Sequence, residues 1–356
     1  MSTVTTRERI RLRQQLAGAV RRELEQLGYE EVETPILVRS PGLEPAIQAF
    51  RTEFVPEMGP VRGRPLWLQT SPEYAMKRLL ADGWERIYQL TKVFRNGEVS
   101  PTHNPEFTML EFYRAQVDYH GLMDDLERLV VRCAGALGHA DRVVWQGQSI
   151  DLSRPFERVS VRDAMLRETG IDIAAHAKRA SLMAAARSQG FHVSDSAASW
   201  DDVFFSVFLS AVEPKLGRER PTFLIEYPAH MAALARLKPG DPAVAERFEL
   251  YAGGLELANG FSELTDAAEQ RTRFLGEQEE RRRAGKEVYP LDEPFLEAVG
   301  RMPPASGVAV GFDRLAMLLT DAASISDVLL FPADTEWRGE QLLPSPADRS
   351  LPSKKR

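Results

Sequence analysis

The chain has 356 residues, of which 43% are hydrophobic and 27% are charged, as is ordinary for a globular protein. These proportions exclude a disordered chain and a fibrous one. The net charge of −7 argues against a general nucleic-acid binder, which would usually be basic. The single cysteine, Cys133, excludes an internal disulfide framework and a cysteine-rich zinc site.

The first residues of the chain lack the apolar stretch that characterises a secretory signal. The sequence also contains no run of about 18 apolar residues, the length that a membrane-spanning helix needs. Together with the lone thiol, these features predict a soluble, cytoplasmic protein without a membrane partner.

Hydrophobic periodicity defines the elements of the first third of the chain. Apolar residues at helical spacing predict a helix over residues 7–28, closed by Gly28. Alternation over Tyr29–Pro35 predicts a strand that ends at the proline, and the Pro- and Gly-rich residues 40–65 predict a long loop. The remaining elements predicted up to residue 137 are strands at Pro65–Gln69, Arg86–Phe94 and Phe107–Tyr113, a helix that begins at Ser71-Pro72, a loop over 95–106 and a helix over 120–137.

Residues 141–222 are less sharply patterned and predict a mainly helical, insertion-like region. After it, the sequence predicts strands at Thr222–Tyr227, Phe248–Tyr251, Leu255–Asn259 and Val308–Val310, with helices over 265–284 and Asp313–Leu319. The polar, proline-rich residues 338–356 predict a disordered tail. Because strands and helices mix without a βαβ rhythm, we expect one α+β domain over residues 1–337, an antiparallel sheet flanked by helices.

Residues 94–113 predict two strands joined by a loop rich in polar groups. On the second strand Phe107, Met109, Glu111 and Tyr113 share one face, because side chains alternate along a strand. Burying an unpaired carboxylate on such a face would be costly. The pattern therefore predicts the floor of a pocket that receives a cation, with a half-solvated sheet face as the alternative.

Three carboxylates, those of Glu249, Glu256 and Glu263, fall within fifteen residues on or just after strands. Such a density needs a divalent cation or an amine between the carboxylates, unless they form surface salt bridges. In GVAVGFDRL (residues 307–315), a strand ends at Gly311, which lets a ligand approach the backbone. Arg314 follows in the first turn of a helix, where it can reach a phosphate.

Taken together, these segments resemble the class II aminoacyl-tRNA synthetases, and specifically their lysyl branch. Residues 27–35 are similar to motif 1, which builds the dimer interface, residues 94–113 to motif 2 and residues 307–315 to motif 3. The segments HNPEFTMLE (103–111) and ELANGFSEL (256–264) resemble the versions found in the lysyl branch. The resemblance spans about residues 10–335 and implies the class II catalytic fold and a homodimer.

A lysyl-tRNA synthetase carries an OB-fold that reads the anticodon ahead of motif 1, and the sequence leaves no room for one there. A catalytic core of this kind is similar to the elongation factor P lysine lysyltransferases. That resemblance implies activation of (R)-β-lysine or lysine by ATP to an aminoacyl-adenylate, with transfer to a lysine side chain of elongation factor P rather than to tRNA. The alternatives are a truncated lysyl-tRNA synthetase, a free-standing amino-acid ligase and an inactive paralogue with a regulatory or binding role.

The resemblance also implies how ATP is bound. Arg95 would hold the α-phosphate and the substrate carboxylate, and Phe107 would stack on adenine, with Arg314 on the other face or at the γ-phosphate. These two arginines are the expected catalytic residues. Glu249 and Glu256 would bind the Mg²⁺ that bridges the phosphates. The expected ATP contacts are Arg95, Asn96, Gly97, Glu98, Asn104, Phe107, Glu256, Leu257, Gly311 and Arg314.

For the amino acid, the resemblance implies that Glu73 binds the amino group near the carboxylate, whereas Glu111, Tyr113 and Glu263 surround the ε-ammonium. The expected substrate contacts are Ser71, Pro72, Glu73, Glu111, Tyr113, Asn259, Phe261, Glu263 and Ala309.

The sequence departs from the family pattern at three places. Gly97-Glu98 stands where the family usually reads Glu-Gly, and Thr102 replaces an arginine that would contact phosphate. Ala309 stands where lysyl-tRNA synthetases commonly carry glycine. Its methyl group would reshape the pocket around the α- and β-carbons and favour β-lysine. His103, in the motif 2 loop, is expected to position other groups rather than transfer a proton.

Overall fold

A computed structural model describes residues 5–56 and 63–336 of the chain. Its strands are β1 (Glu30–Glu31), β2 (Leu37–Val38), β3 (Arg51–Phe54), β4 (Arg64–Leu68), β5 (Arg86–Phe94), β6 (Glu106–Ala115), β7 (Arg142–Trp145), β8 (Gln148–Asp151), β9 (Glu157–Ser160), β10 (Thr222–Pro228), β11 (Leu237–Lys238), β12 (Asp241–Ala252), β13 (Leu255–Ser262) and β14 (Ala305–Gly311). Its helices are α1 (Thr6–Gln26), α2 (Glu73–Ala81), α3 (Tyr119–Ala136), α4 (Val161–Thr169), α5 (Arg179–Ser188), α6 (Trp200–Ala211), α7 (Ala267–Arg283), α8 (Glu293–Val299), α9 (Phe312–Leu319) and α10 (Ala333–Glu336).

The main sheet has nine strands in the order β1-β5-β6-β14-β13-β12-β10-β9, with β11 paired to β12. Its central pairs are antiparallel, and only the outer pairs β1–β5 and β9–β10 are parallel. Two small sheets, β2-β4-β3 and β7-β8, lie beside it. The prediction of an antiparallel sheet flanked by helices is therefore confirmed.

Helix α1 shows why the N-terminal prediction was accurate. Thr5 and Glu8 form a reciprocal capping box at its start, and Gly28, with φ of +80°, turns the chain away just after its end. The apolar face of α1 packs in the core that it shares with α3 and the sheet. No helix in the described part of the chain is long and apolar enough to span a bilayer.

Two predictions in the segment after α1 were wrong in extent. Only Glu30–Glu31 of the predicted strand Tyr29–Pro35 pair in the sheet, because β1 meets β5 at an outer edge for just two residues. The predicted loop over 40–65 contains β3, which pairs with β4. Its partner β4 is the next strand along the chain, but the Pro- and Gly-rich composition did not reveal the pairing.

The region 141–222, predicted to be mainly helical, contains α4, α5 and α6, but it also contains the strands β7, β8 and β9. Its helices surround a second hydrophobic core, and β9 joins the main sheet beside β10. Helix α8 was not predicted. The predicted tail, residues 338–356, lies outside the described residues.

Alternation along the central strands gives the sheet two different faces. Leu110 and Phe112 of β6, with Val308 and Val310 of β14, belong to the apolar core shared with α1, α3 and α9. The intervening residues face the opposite side, where the sheet is the floor of a cavity.

Candidate active site

A cavity of about 300 Å³ lies over the central strands. The sequence-predicted residues that line it are Ser71, Glu73, Arg95, Glu98, Asn104, Phe107, Glu111, Tyr113, Glu256, Leu257, Asn259, Phe261, Ala309, Gly311 and Arg314. Pro72, Asn96, Gly97, Glu249 and Glu263 are not among the lining residues. The fold thus brings together residues from β6, β13, β14, α2 and α9 that are far apart in sequence.

Strand register explains how the floor is assembled. One row of partners crosses five strands through Gln89, Glu111, Ala309, Asn259 and Glu249. The next row on the same face runs through Ile87, Tyr113, Gly307, Phe261 and Arg247. Because directly opposed side chains lie about 5 Å apart, these two rows concentrate polar groups in one patch of the sheet.

Glu111 lies at the centre of the acidic end of the cavity. Ser71 Oγ donates a hydrogen bond of 2.5 Å to one carboxylate oxygen, and the Tyr113 hydroxyl donates one of 2.9 Å to the other. A Cβ at position 307 would lie 2.2 Å from the Tyr113 ring, so only glycine fits there. Burial, assisted by the charge of Glu73, raises the pKa of Glu111 to about 8.

Lys77 links two of the predicted amine-binding carboxylates. Its Nζ lies 2.5 Å from Glu73 Oε1 and 2.5 Å from Glu263 Oε2. Glu263 is 1% exposed. Its Oε1 atom has no hydrogen-bond partner and points toward the backbone of Gly307, a cavity-lining residue. In this structure Glu263 therefore contacts Lys77 rather than the open cavity.

Arg314 lies at the opposite end of the cavity and contacts several of its lining residues. Its Nη1 donates to the Glu256 carbonyl at 3.0 Å and lies 3.4 Å from the carboxylate, and its Nη2 lies 2.6 Å from His103 Nε2. Because a guanidinium only donates, the His103 nitrogen accepts and the ring is neutral. Burial, together with Arg314 and Arg95, lowers the pKa of His103 to about 4. The Thr102 carbonyl accepts a further bond of 3.3 Å from Arg314 Nε.

Arg95 and Phe107 lie together at the same end. The guanidinium carbon is 5.3 Å from the ring centroid, and Arg95 Nε is buried without a hydrogen-bond partner. Asn104 lines the cavity, but its amide bonds the Glu106 carbonyl and the Ala333 N–H. Asn96 and Gly97 form a turn outside the cavity lining, and Gly97 has φ of +86°.

The two predicted metal ligands occupy different positions. Glu256 lines the cavity, whereas Glu249 lies behind it and accepts hydrogen bonds of 2.6 Å from Arg247 and from the Tyr251 hydroxyl. Burial and the neighbouring charge of Glu249 raise the pKa of Glu256. In residues 5–56 and 63–336, no group of three or more His, Cys, Asp or Glu side chains is arranged to hold a metal. Glu256, the one of the two that lines the cavity, nevertheless fits Mg²⁺, which takes one or two carboxylates together with phosphate oxygens.

Sequence reasoning did not assign Lys77 or Glu44 to this site. Lys77 follows Glu73 by four residues on α2, and that spacing could have indicated the ion pair. Glu44 also lines the cavity. It comes from a segment without helical or strand periodicity, so no local pattern pointed to it.

Comparison with known proteins identifies the family of this chain. The family model described as tRNA synthetases class II (D, K and N) matches residues 1–335. The chain belongs to this family, and the resemblance inferred from the three motifs is confirmed.

Two kinds of relative match the chain at similar identity. The lysine–tRNA ligase of Carboxydothermus hydrogenoformans is 39% identical over 92% of this chain and 65% of its own length, and that of Magnetococcus marinus is 39% identical over 92% and 64%. The elongation factor P–(R)-β-lysine ligase of Haemophilus influenzae is 40% identical over 90% of this chain and 94% of its own length. The chain thus spans less than two thirds of these lysine–tRNA ligases.

Proposed function

We propose that this protein activates (R)-β-lysine or lysine with ATP and transfers it to a lysine side chain of elongation factor P. The observation that carries the proposal is that one cavity is lined both by the carboxylates of Glu73 and Glu111 and by the guanidinium groups of Arg95 and Arg314. The carboxylates suit a substrate with two ammonium groups, and the guanidinium groups suit phosphates and the substrate carboxylate.

The chemistry requires positioning and charge neutralisation more than proton transfer. The amino-acid carboxylate attacks the α-phosphorus of ATP, which gives an aminoacyl-adenylate and pyrophosphate. Arg95 would hold the two reacting anions together, and Arg314 would neutralise the departing phosphates. The acceptor amine then attacks the carbonyl carbon, an amide bond forms and AMP leaves.

Mg²⁺ would be held by Glu256, with Glu249 behind it, and would neutralise phosphate charge as pyrophosphate departs. Glu256 suits that role because it lines the cavity and because burial and the charge of Glu249 raise its pKa, so that a further cation would favour its ionised form. His103, kept neutral, would hold Arg314 in place without transferring a proton.

The acceptor assignment is supported by the Haemophilus ligase, which the chain matches over 94% of its length. The net charge of −7 supports it as well, since RNA binding relies on many Lys and Arg contacts to phosphate. Transfer to tRNA is the second candidate, because the lysine–tRNA ligases match at 38–39%. We propose the cytoplasm as its location, because the acceptor is a translation factor.

Ala309 supports the choice of β-lysine over α-lysine. It lies between Glu111 and Asn259 in the first cross-strand row, and its methyl group would occupy space beside the α-carbon of the substrate. Discrimination by one methyl group is worth about 1–3 kcal/mol.

The test is mass spectrometry of elongation factor P and of tRNA after incubation with the protein, ATP and each lysine isomer. We expect elongation factor P to gain one lysyl mass. The reaction should be faster with (R)-β-lysine than with α-lysine, and Ala309→Gly should reduce this difference in rate. Lysyl transfer to tRNA alone would refute the acceptor. Absence of lysine-dependent pyrophosphate exchange with either isomer would favour the inactive paralogue.

A C2 homodimer is part of the same proposal. Leu37, Phe54 and Val55 are 51%, 54% and 65% exposed. Leu37 and Phe54, on the two outer strands of the small β2-β4-β3 sheet, line one groove, an apolar surface suited to a second copy. Sedimentation should give twice the chain mass of 40.0 kDa. The monomer mass at micromolar concentration would refute the dimer.

A further inference from the structure

Glu44 is an acidic residue of the cavity wall that the function described so far does not use. It lies between β2 and β3 and lines the cavity together with Glu73. With Ser71 and Glu73 it also lines a neighbouring cavity, so these three residues form the wall between the two. Its Oε2 atom is shielded from solvent and has no hydrogen-bond partner.

The segment around Glu44 is held firmly in place. Arg281, a fully buried residue of α7, donates hydrogen bonds of 2.9 Å to the carbonyls of Glu44 and Ile47. The Tyr289 hydroxyl accepts one of 2.8 Å from Ala49 N. A Cβ on Gly42 would lie 2.3 Å from Glu44 Oε2, so glycine leaves room for the carboxylate. These contacts fix the backbone that presents Glu44.

A shielded carboxylate oxygen without a partner is costly, and the surroundings of Glu44 define what is missing. Glu73, Glu277 and the Tyr74 hydroxyl face it, and burial together with the charge of Glu73 raises its pKa. The nearby cations are Arg95 and Lys77. Lys77 is already engaged by Glu73 and Glu263. Arg95 lies 4.0 Å from Glu98, and neither cation donates a hydrogen bond to Glu44 Oε2 in the described part of the chain. This oxygen therefore has no charged hydrogen-bond donor.

We infer that Glu44 is a substrate-binding residue that accepts a hydrogen bond from the substrate amino group nearest the reacting carboxylate. This inference rests on the proposed function, in which Glu73 binds the same amino group. An ammonium has three N–H donors, so Glu73 and Glu44 can each accept one. The pair would then select amino acids over acids that lack this amino group.

The test compares two ligands by calorimetric titration in the presence of ATP: the preferred lysine isomer, and 6-aminohexanoate, which keeps the carboxylate and the terminal amine but lacks the second amino group. Glu44→Gln should weaken binding of the lysine isomer about tenfold or more, the cost of a charge-assisted hydrogen bond. Binding of 6-aminohexanoate and of ATP should change less than about twofold. Glu44→Asp should recover part of the loss.

Glu277→Gln is the matched control. Glu277 faces Glu44 and is shielded from solvent, but it does not line the cavity, so both ligands should bind as they do to the unaltered protein. The inference is overturned if Glu44→Gln weakens binding of both ligands equally, or if it weakens binding of neither. If Glu44→Gln does not fold, Glu44→Asp carries the same comparison. Failure of the unaltered protein to bind either lysine isomer would instead overturn the proposed function.

Discussion

The two ends of the cavity differ in how their charge is determined. Arg95 and Arg314 are cationic at any physiological pH, because a guanidinium does not lose its proton in proteins. At the other end, burial and the charge of Glu73 raise the pKa of Glu111 to about 8. The arginine end is therefore charged before any ligand arrives, whereas the carboxylate end acquires its full charge as a cation enters.

The neighbours of each end explain this difference. Arg314 contacts a carbonyl, a neutral histidine and one carboxylate, so its positive charge is only partly neutralised. At the acidic end, Lys77 is shared between Glu73 and Glu263, and Glu111 is bonded by two hydroxyl groups. A fixed positive charge suits phosphates that bind in every turnover, and an adjustable negative charge suits selection of a cationic side chain.

The largest effect is expected at the arginine end. Arg95→Ala should lower lysine-dependent pyrophosphate exchange by about 10²–10³-fold, because a charge-stabilising donor is lost from the transition state. Arg301→Ala, which alters an arginine whose side chain is 59% exposed, is the control and should stay close to the unaltered rate. An Arg95→Ala rate within threefold of that control would contradict the role given to this end.

At the carboxylate end, Glu263→Gln should weaken both substrate binding and folding. Losing a charge-assisted hydrogen bond to the substrate ammonium costs about 1.5–3 kcal/mol. This corresponds to an increase of about 10–150-fold in the lysine concentration that the exchange reaction needs for half-maximal rate. Removing one carboxylate from a buried ion pair costs about 3–5 kcal/mol, a figure that is an upper bound here because Lys77 keeps Glu73 as a partner.

The exchange assay and chemical denaturation measure these two consequences of Glu263→Gln separately. Glu279→Gln, which removes a 46% exposed partner of Arg282 and Arg283, is the control and should cost about 0–1 kcal/mol. If Glu263→Gln leaves the lysine dependence of the exchange reaction unchanged but lowers the free energy of unfolding, the role of Glu263 is only structural, as a partner of Lys77.

The smallest effect is expected from the ionisation of Glu111. With a pKa of about 8, Glu111 carries about 0.9 proton at pH 7 in the free protein, and a bound ammonium favours the ionised form. Lysine binding should therefore release protons at pH 7, and its affinity should rise as the pH increases from 7 to 9. Calorimetry in buffers of different ionisation enthalpy measures the release, which Glu111→Gln should reduce. An affinity that is constant over this range would show that Glu111 is already ionised.

Much of the fold and site follows from local patterns. The spacing of apolar residues in α1, with its capping residue Thr5 and the turn at Gly28, specifies that helix without reference to distant partners. Alternation on β6 placed Phe107, Met109, Glu111 and Tyr113 on one face, and all four line the cavity. Local signals suffice where the interacting groups are close together in sequence.

The tertiary structure decided what distant residues do to one another. Lys77 forms an ion pair with Glu263, which is 186 positions away in the chain. Glu44 reaches the cavity because Arg281 holds its loop. The raised pKa of Glu111 likewise requires burial and a neighbour from another element. Side-chain identity and spacing determined which chemical groups were available. Only the packing of the elements determined which of them meet and how far each is removed from water.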